Sequence, residues 1–454
     1  MSTSKIDAWS TASLLDCADF VRGVTYTKSD AYTESNQNLV PLLRANNLQA
    51  GSFDLNDLVY VNKNIPSEQQ ILKQGDVVIA TSSGSLSVVG KAVQFFENEK
   101  LTFGAFCGVL RPSKIVDLRY FGHFFKSQAY RAAVSNLARG VNINNLKKDH
   151  FAEIQIPIAP IEEQRRIADK LDTTLARVDA LNDRLARITP LLKRFRQSVL
   201  AAATSGRLTE DWRDGVGEWR EVKISDIGVL GRGKSRHRPR NDPALYGGVH
   251  PFIQTGDVAN AGEYILSHSQ TYSELGLLQS KLWPANTLCI TIAANIADTA
   301  ILSYPACFPD SIVGFVANEK ICRVKYVKWF IDSIKDRLEQ FAPATAQKNI
   351  NLAVLEDIKI KLPPLDEQTE IVRRVEILFA FADRLEARLQ SAQTAAERLT
   401  PALLAKAFRG ELVPQDPSDE PAAELLRRLR EARAADTASK PKRGRAAKAP
   451  TVSE

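Results

Sequence analysis

IEEQRRIADKLD at residues 161–172 returns as LDEQTEIVRRVE at residues 365–376. The likeness continues without a gap to Leu208 in the first copy and Leu412 in the second. Fourteen of forty-eight paired positions are identical, among them Glu163/Glu367, Gln164/Gln368, Ile167/Ile371, Asp179/Asp383 and Gly206/Gly410. That exceeds what composition alone gives helix-rich sequence. In the first copy Ile167, Leu171, Val178, Leu181, Leu185, Ile188, Leu192, Phe195 and Val199 keep a heptad spacing, with Thr174 in the remaining slot. In the second, Ile371, Val375, Leu378, Ala382, Leu385, Leu389, Ala392, Ala396, Leu399 and Leu403 do the same. Such a seam requires a partner helix. Pro160 and Pro364 precede an acidic first turn, which suits the positive end of a helix dipole. Gly206 and Gly410 suit C-terminal caps. Pro190 and Pro401 predict a kink or break.

The flanking sequence is duplicated more faintly. Trp9, Asp16, Arg22 and Gly23 correspond to Trp219, Asp226, Arg232 and Gly233, and Tyr120, Phe124, Ser127 and Arg131 to Tyr326, Phe330, Ser333 and Arg337. The repeating unit is therefore a globular domain followed by a long helix. Residues 1–160 and 209–363 read as mixed α/β domains. Apolar runs such as Asp76–Ala80, Val88-Val89 and Thr287–Ile292 alternate with Gly/Ser/Asn turns, and Arg119–Leu137 and Lys325–Phe341 read as helices. Residues 161–208 and 364–412 are the helices, and 413–454 reads as a basic, disordered tail with a short helix at 422–434. The expected fold is α/β: two domains separated by two antiparallel coiled-coil helices, an internal duplication with pseudo-twofold symmetry.

The chain has 454 residues, 44% of them hydrophobic, enough for two or three domains with real cores. No apolar run reaches membrane-spanning length and no signal peptide is read. Five scattered cysteines without a CxxC pair suit a reducing cytoplasm and speak against structural zinc. A net charge of +7 is compatible with a polyanionic partner.

One motif points to another class. GVLGRGKS at 228–235 satisfies the P-loop pattern, which needs a helix directly after Lys-Ser. Here RHRPRND follows, and the equivalent FVRGVTY of the first domain lacks Lys-Ser. The same stretch makes better sense as a basic loop: Arg232, Lys234, Arg236, Arg238 and Arg240, with His237, suit phosphates and guanine edges. In the first domain Arg44, Asn46 and Asn47, and the loop Ser82, Ser83 and Ser85, are polar beside apolar strands. Asparagine can read adenine, and it also simply forms turns. Lys348, in Gln347-Lys348-Asn349, is a weaker candidate beside the second helix, as is Asn142–Asn145 beside the first. An adenine methyltransferase needs an acidic or amide residue followed by Pro-Pro and an aromatic, and the nearest string, Asn241-Asp242-Pro243-Ala244, is not that. The five histidines do not group at ligand spacing. A stand-alone P-loop NTPase or methyltransferase, and a coiled-coil scaffold, are the competing readings.

Two diverged domains on two similar helices suit a bipartite, asymmetric DNA target with an untouched spacer. With its P-x-x-E-Q helix openings at 160–164 and 364–368, ILFAFAD, and LLAKAFRGEL, residues 1–412 resemble the specificity subunit of type I DNA restriction-modification enzymes, most nearly the enterobacterial K family (type IA). In the first domain RGVTY at Arg22, RANN at Arg44, SSGS at Ser82, SVVGK ending in Lys91, FGAFCGVLRP and NINN resemble the domain that reads 5′-AAC. The resemblance implies a non-catalytic, cytoplasmic chain that binds double-stranded DNA, two modification subunits and two restriction subunits. It implies no cofactor on this chain, with S-adenosylmethionine, ATP and Mg2+ on the partners.

Overall fold

The computed structural model describes residues 8–49, 51–85, 87–137, 144–213, 217–237, 239–293, 296–341 and 350–439. It divides into two units, residues 1–184 with 392–454, and residues 185–391. The division falls inside both long helices.

The first unit is built on an antiparallel sheet in the order Ala18–Arg22, Cys107–Pro112, Val77–Ala80, Ala92–Gln94. Val77–Ala80 is buried along its whole length, which is why it reads as an unbroken apolar run. A three-stranded sheet, Val59–Asn62, Leu39–Leu43, Thr102–Phe103, flanks it. Val88-Val89, expected as β structure, instead lies in a turn. Two Arg131 guanidinium nitrogens donate to the Val89 and Ser87 carbonyls and hold that turn in place. Arg119–Leu137 is two helices, Leu118–Phe124 and Gln128–Leu137, the first capped by Asp117.

The second unit repeats the plan. Its sheet runs Gly228–Arg232, Ile312–Ala317, Leu288–Thr291, Thr299–Leu302, Tyr264–Ile265, with only the last pair parallel. Lys325–Phe341 likewise divides into Val324–Ser333 and Lys335–Phe341. The shared Arg-Gly pairs mark one point of the plan, the end of the first sheet strand. A Cβ on Gly23 would sit 2.0 Å from the Gly104 carbonyl oxygen, and one on Gly233 2.2 Å from that of Phe308. Backbone meets backbone there, so only glycine fits.

The first long helix is continuous from Ile161 to Ser205, through Pro190. The expected interruption does not occur. Pro190 frees one carbonyl, that of Ala186, and both residues are exposed, so water can satisfy it. The second helix does break. Leu365–Glu397 ends, and Leu399–Phe408 begins after Arg398, three residues before Pro401. The register shifts there. Leu399, expected in the seam, is 40% exposed, and Leu404 and Ala407 are buried instead. Gly206 and Gly410 end the two helices with φ of 83° and 69°, the left-handed cap.

Packing between the helices is antiparallel in each unit. In the second, Leu192 packs with Ala382 and Leu389, Arg196 pairs with Asp383 and Glu386, and Leu200 and Ala203 share a core with Ile371 and Val375. In the first, Ile167, Ala168 and Leu171 share a core with Leu404 and Ala407. Residues 413–431, expected as part of a basic, disordered tail with a short helix at 422–434, fold onto the rest of the first unit. Asp419 pairs with Arg166 at 2.6 Å, the Ala422 N–H donates to the Ala8 carbonyl, and Ala422 and Leu426 are buried at the head of the helix Ala422–Ser439. An apolar stripe outweighs the basic composition there.

Candidate nucleic-acid interface

The Glu-Gln pair of the repeated motif is a clasp between domain and helix. Glu163, Gln164, Glu367 and Gln368 are all buried. Trp9 Nε1 donates to Glu163 at 3.0 Å and Trp219 Nε1 to Glu367 at 2.8 Å. Gln164 accepts from the Asp117 N–H and donates to the Ala159 carbonyl. Gln368 accepts from the Arg323 N–H and donates to the Ile321 and Pro363 carbonyls. Tyr120 and Tyr326 hydroxyls bind the Pro157 and Lys361 carbonyls in strands that lead into the helices. Because a buried polar group without its partner costs about 1–3 kcal/mol, each domain is fixed to its helix and its loops are held in place.

The two clasps differ. Glu367 also receives Thr209 Oγ1 at 2.7 Å and both Nε and Nη2 of Arg213. In the first unit Gln415, not arginine, lies against the cap glycine Gly410, as does Trp9. There Glu163 Oε1 and Gln415 Nε2 are buried without a hydrogen-bond partner among the described residues. Burial pushes the Glu163 carboxyl above its ordinary range, against the hydrogen bond from Trp9 and the charge of Arg166.

The candidate polar residues lie on strand ends, a short helical turn and loops of the two domains. Arg44 pairs with the exposed Asp57 carboxylate at 2.7 Å, and Asn46, itself exposed, donates to the same group at 3.2 Å. Asn47 is different: it is buried, donates to the Asp54 and Asp57 carbonyls and accepts from the Arg44 N–H. Both of its amide protons hold the loop and the side chain is buried, so the structure gives Asn47 a loop-holding role in place of the base contact expected of it. Ser82–Ser83 pair as a short strand with Asn144–Asn145, which brings two of the sequence candidates together. Ser85 is exposed, with its hydroxyl 2.7 Å from that of Ser87. Lys91 lines a cleft of about 580 Å³ with Lys126, Arg131 and Asp179. Arg22 is exposed at the end of its strand, opposite Gly108. Arg238 and Lys348 lie outside the described residues.

In the second unit Gly228–Arg232 is a strand and residues 233–237 form no helix, so the P-loop pattern lacks the geometry it needs. The basic loop is divided by its partners. Arg232 donates to the Asp310 carbonyl, Arg240 pairs with the Asp310 carboxylate at 2.9 Å, and His237 meets Asp242 at 2.9 Å. Lys234 and Arg236 have no carboxylate within ion-pair distance among the described residues. They are joined by a cation the sequence reading missed, Lys281, whose Nζ lies 3.6 Å from the Trp283 ring centroid. Burial, with Lys234 nearby, lowers the Lys281 ammonium below the usual lysine range. Nothing in the sequence sets Lys281 apart; the fold lays its loop beside 234–237 through Gln279 and Ser280.

The family model for the type I restriction modification DNA specificity domain matches residues 6–189 and again 217–392. The chain is 36% identical to the type I restriction enzyme EcoKI specificity subunit of Escherichia coli K12, across 98% of this chain and 99% of that one. It belongs to the type I specificity subunits. The StySPI specificity subunit of Salmonella potsdam is also 36% identical, over 97% and 98% of the two chains, which gives the type IA kind. Among solved structures, the HsdS subunit of Thermoanaerobacter tengcongensis shares the fold with a TM-score of 0.58 at 18% identity, over 89% of this chain and 97% of that one. A chain from a type I R-M complex does so with 0.65 at 16% identity, over 89% and 98%. A specificity subunit is the non-catalytic, DNA-recognising part of such an enzyme, so the loops described above are candidates for recognition.

Proposed function

We propose that this specificity subunit recognises an asymmetric bipartite DNA site, reading 5′-AAC with its first domain and an unrelated half-site with its second. It directs adenine-N6 methylation and ATP-dependent cleavage by two modification and two restriction subunits. The observation that carries the reading is the pairing of one fold plan with two unlike polar surfaces. The first unit offers Arg44, Asn46 and Ser82–Ser85, and the second Lys234, Arg236 and Lys281. Identical scaffolds with different side chains read different base sequences. The AAC assignment rests on the K-family segments of the first domain. Apolar side chains left open on the second long helix, Ile377 at 53% and Phe381 at 48% exposed and one turn apart, suit a modification subunit. S-adenosylmethionine, ATP and Mg2+ belong to the partner subunits in this reading. Methylome sequencing of cells carrying the system tests it. N6-methyladenine in a bipartite motif with an AAC half is expected, and a motif without AAC refutes the first-domain assignment.

A further inference from the structure

Leu278 is 84% exposed, beside Lys234, Arg236 and Lys281, which have no carboxylate within ion-pair distance among the described residues. It ends the short helix Glu274–Leu278, which Ser273 caps by accepting the Gly276 N–H. The helix is seated rigidly. A Cβ on Gly276 would lie 2.3 Å from the Leu245 carbonyl oxygen, and Leu277 packs on the cluster of Leu245, Phe252, Tyr272 and Cys307. Leu275 and Leu278, three residues apart, share the opposite face. The next residues clamp the basic loop alongside. Gln279 Oε1 accepts from the Arg236 and His237 N–H groups at 2.6 and 3.1 Å, and Ser280 Oγ donates to the Lys234 carbonyl at 2.9 Å. Lys281 stands on Trp283. One surface therefore presents Leu278 with Lys234, Arg236 and Lys281 around it.

We propose that Leu278 reads a thymine in the second half-site by packing on its C5-methyl group, while Lys234, Arg236 and Lys281 hold the flanking phosphates. The proposal rests on the DNA-recognition reading above. Cations without carboxylate partners complement a phosphate backbone, and in the major groove the thymine methyl is the one apolar group that distinguishes a base pair. A rigid leucine among cations matches that combination of groups, whereas an acidic protein surface would offer the leucine no apolar counterpart.

The test uses the full chain assembled with its modification subunits and a duplex carrying the site given by the methylome. Thymines of the second half-site are replaced one at a time by deoxyuridine, which lacks only the methyl. At about 0.8 kcal/mol per buried methyl-sized group, the wild type should bind one uracil duplex about three- to fivefold more weakly. Leu278→Ala should lose about the same on the thymine duplex and no more on the uracil duplex, and Leu278→Met should recover most of the loss. Leu278→Ala binding like the wild type, an equal loss on both duplexes, or a second half-site without thymine on either strand overturns the proposal. A wild-type complex that cannot tell its site from a scrambled duplex overturns the DNA-recognition reading itself, a different result from failure of the Leu278 variants alone.

Discussion

The repeated Glu-Gln shows how one residue pair acquires different energetics in two copies. Glu367 is a buried carboxylate fully paired by Arg213, Thr209 and Trp219. Among the described residues Glu163 is hydrogen-bonded only by Trp9, and its second oxygen has no hydrogen-bond partner. Glu367→Gln leaves Arg213 without its charge partner and should destabilise the second unit by about 1–3 kcal/mol. Glu163→Gln removes a desolvated charge and should be neutral or stabilising near neutral pH. Hydrogen-exchange protection of the strands Ser10–Ser13 and Arg220–Lys223 separates the two, and equal losses would refute the contrast. The pH dependence follows in sign. The raised carboxyl of Glu163 binds its proton more tightly in the folded state than in the unfolded one. Its favourable contribution is therefore complete below the ordinary carboxylate pKa and is lost as pH rises through the raised value. Protection of strand Ser10–Ser13 should fall over that window, and Glu163→Gln should remove the fall. The two asparagines divide in the same way. Asn46→Ala should cost about 1–3 kcal/mol of base discrimination if Asn46 reads a base, with the fold intact. Asn47→Ala should instead loosen the 44–57 loop, seen as lower thermal stability with an unchanged methylation motif in what folds.

At the scale of the element, the basic loop acts through whichever of its charges are unspent. Arg240 and His237 are paired within the domain, whereas Lys234, Arg236 and Lys281 are not paired to carboxylates among the described residues. Replacing these three with alanine should weaken DNA binding strongly at low salt and reduce the slope of log affinity against log salt by up to about 3. If they touch only phosphates, the methylation motif stays the same. Titrations at several salt concentrations decide it, and an unchanged slope would make the loop a solvated surface. The long helices show a second element-scale effect, in that two prolines of similar sequence context give one continuous helix and one broken at Arg398. The break moves Leu399 outward and turns Leu404 and Ala407 onto the first unit's core.

At the scale of the molecule, each unit takes part of both long helices, so the helices connect the two recognition domains without belonging to either alone. Four residues inserted after Arg184 in the continuous Ile161–Ser205 helix add about 6 Å at about 1.5 Å per residue. That is at most roughly two base pairs at about 3.4 Å each. Both half-sites should stay the same while the spacer between them lengthens. The methylome of cells carrying the insertion reads this directly, and altered half-sites with a fixed spacer would show that the helices do not measure distance.

Periodicity and duplication are properties of the string, so the sequence alone determined the two α/β domains, the two helices, their glycine caps and the kinship with type I specificity subunits. Glu163-Gln164 and Glu367-Gln368 were visible as a repeat, but their meaning as a clasp was not, because Trp9 and Trp219 reach them across 154 and 148 residues. The same limit explains Asn47, whose partners are carbonyls that only the folded loop brings near, and Lys281, which becomes part of the basic surface through Gln279 and Ser280. It explains the segment 413–431 as well, which composition marks as a solvated tail and the Arg166–Asp419 pair and the buried Leu426 tie to the first unit. Local pattern specifies elements, while the availability of a polar or charged group for a ligand depends on which partners the tertiary fold has already given it.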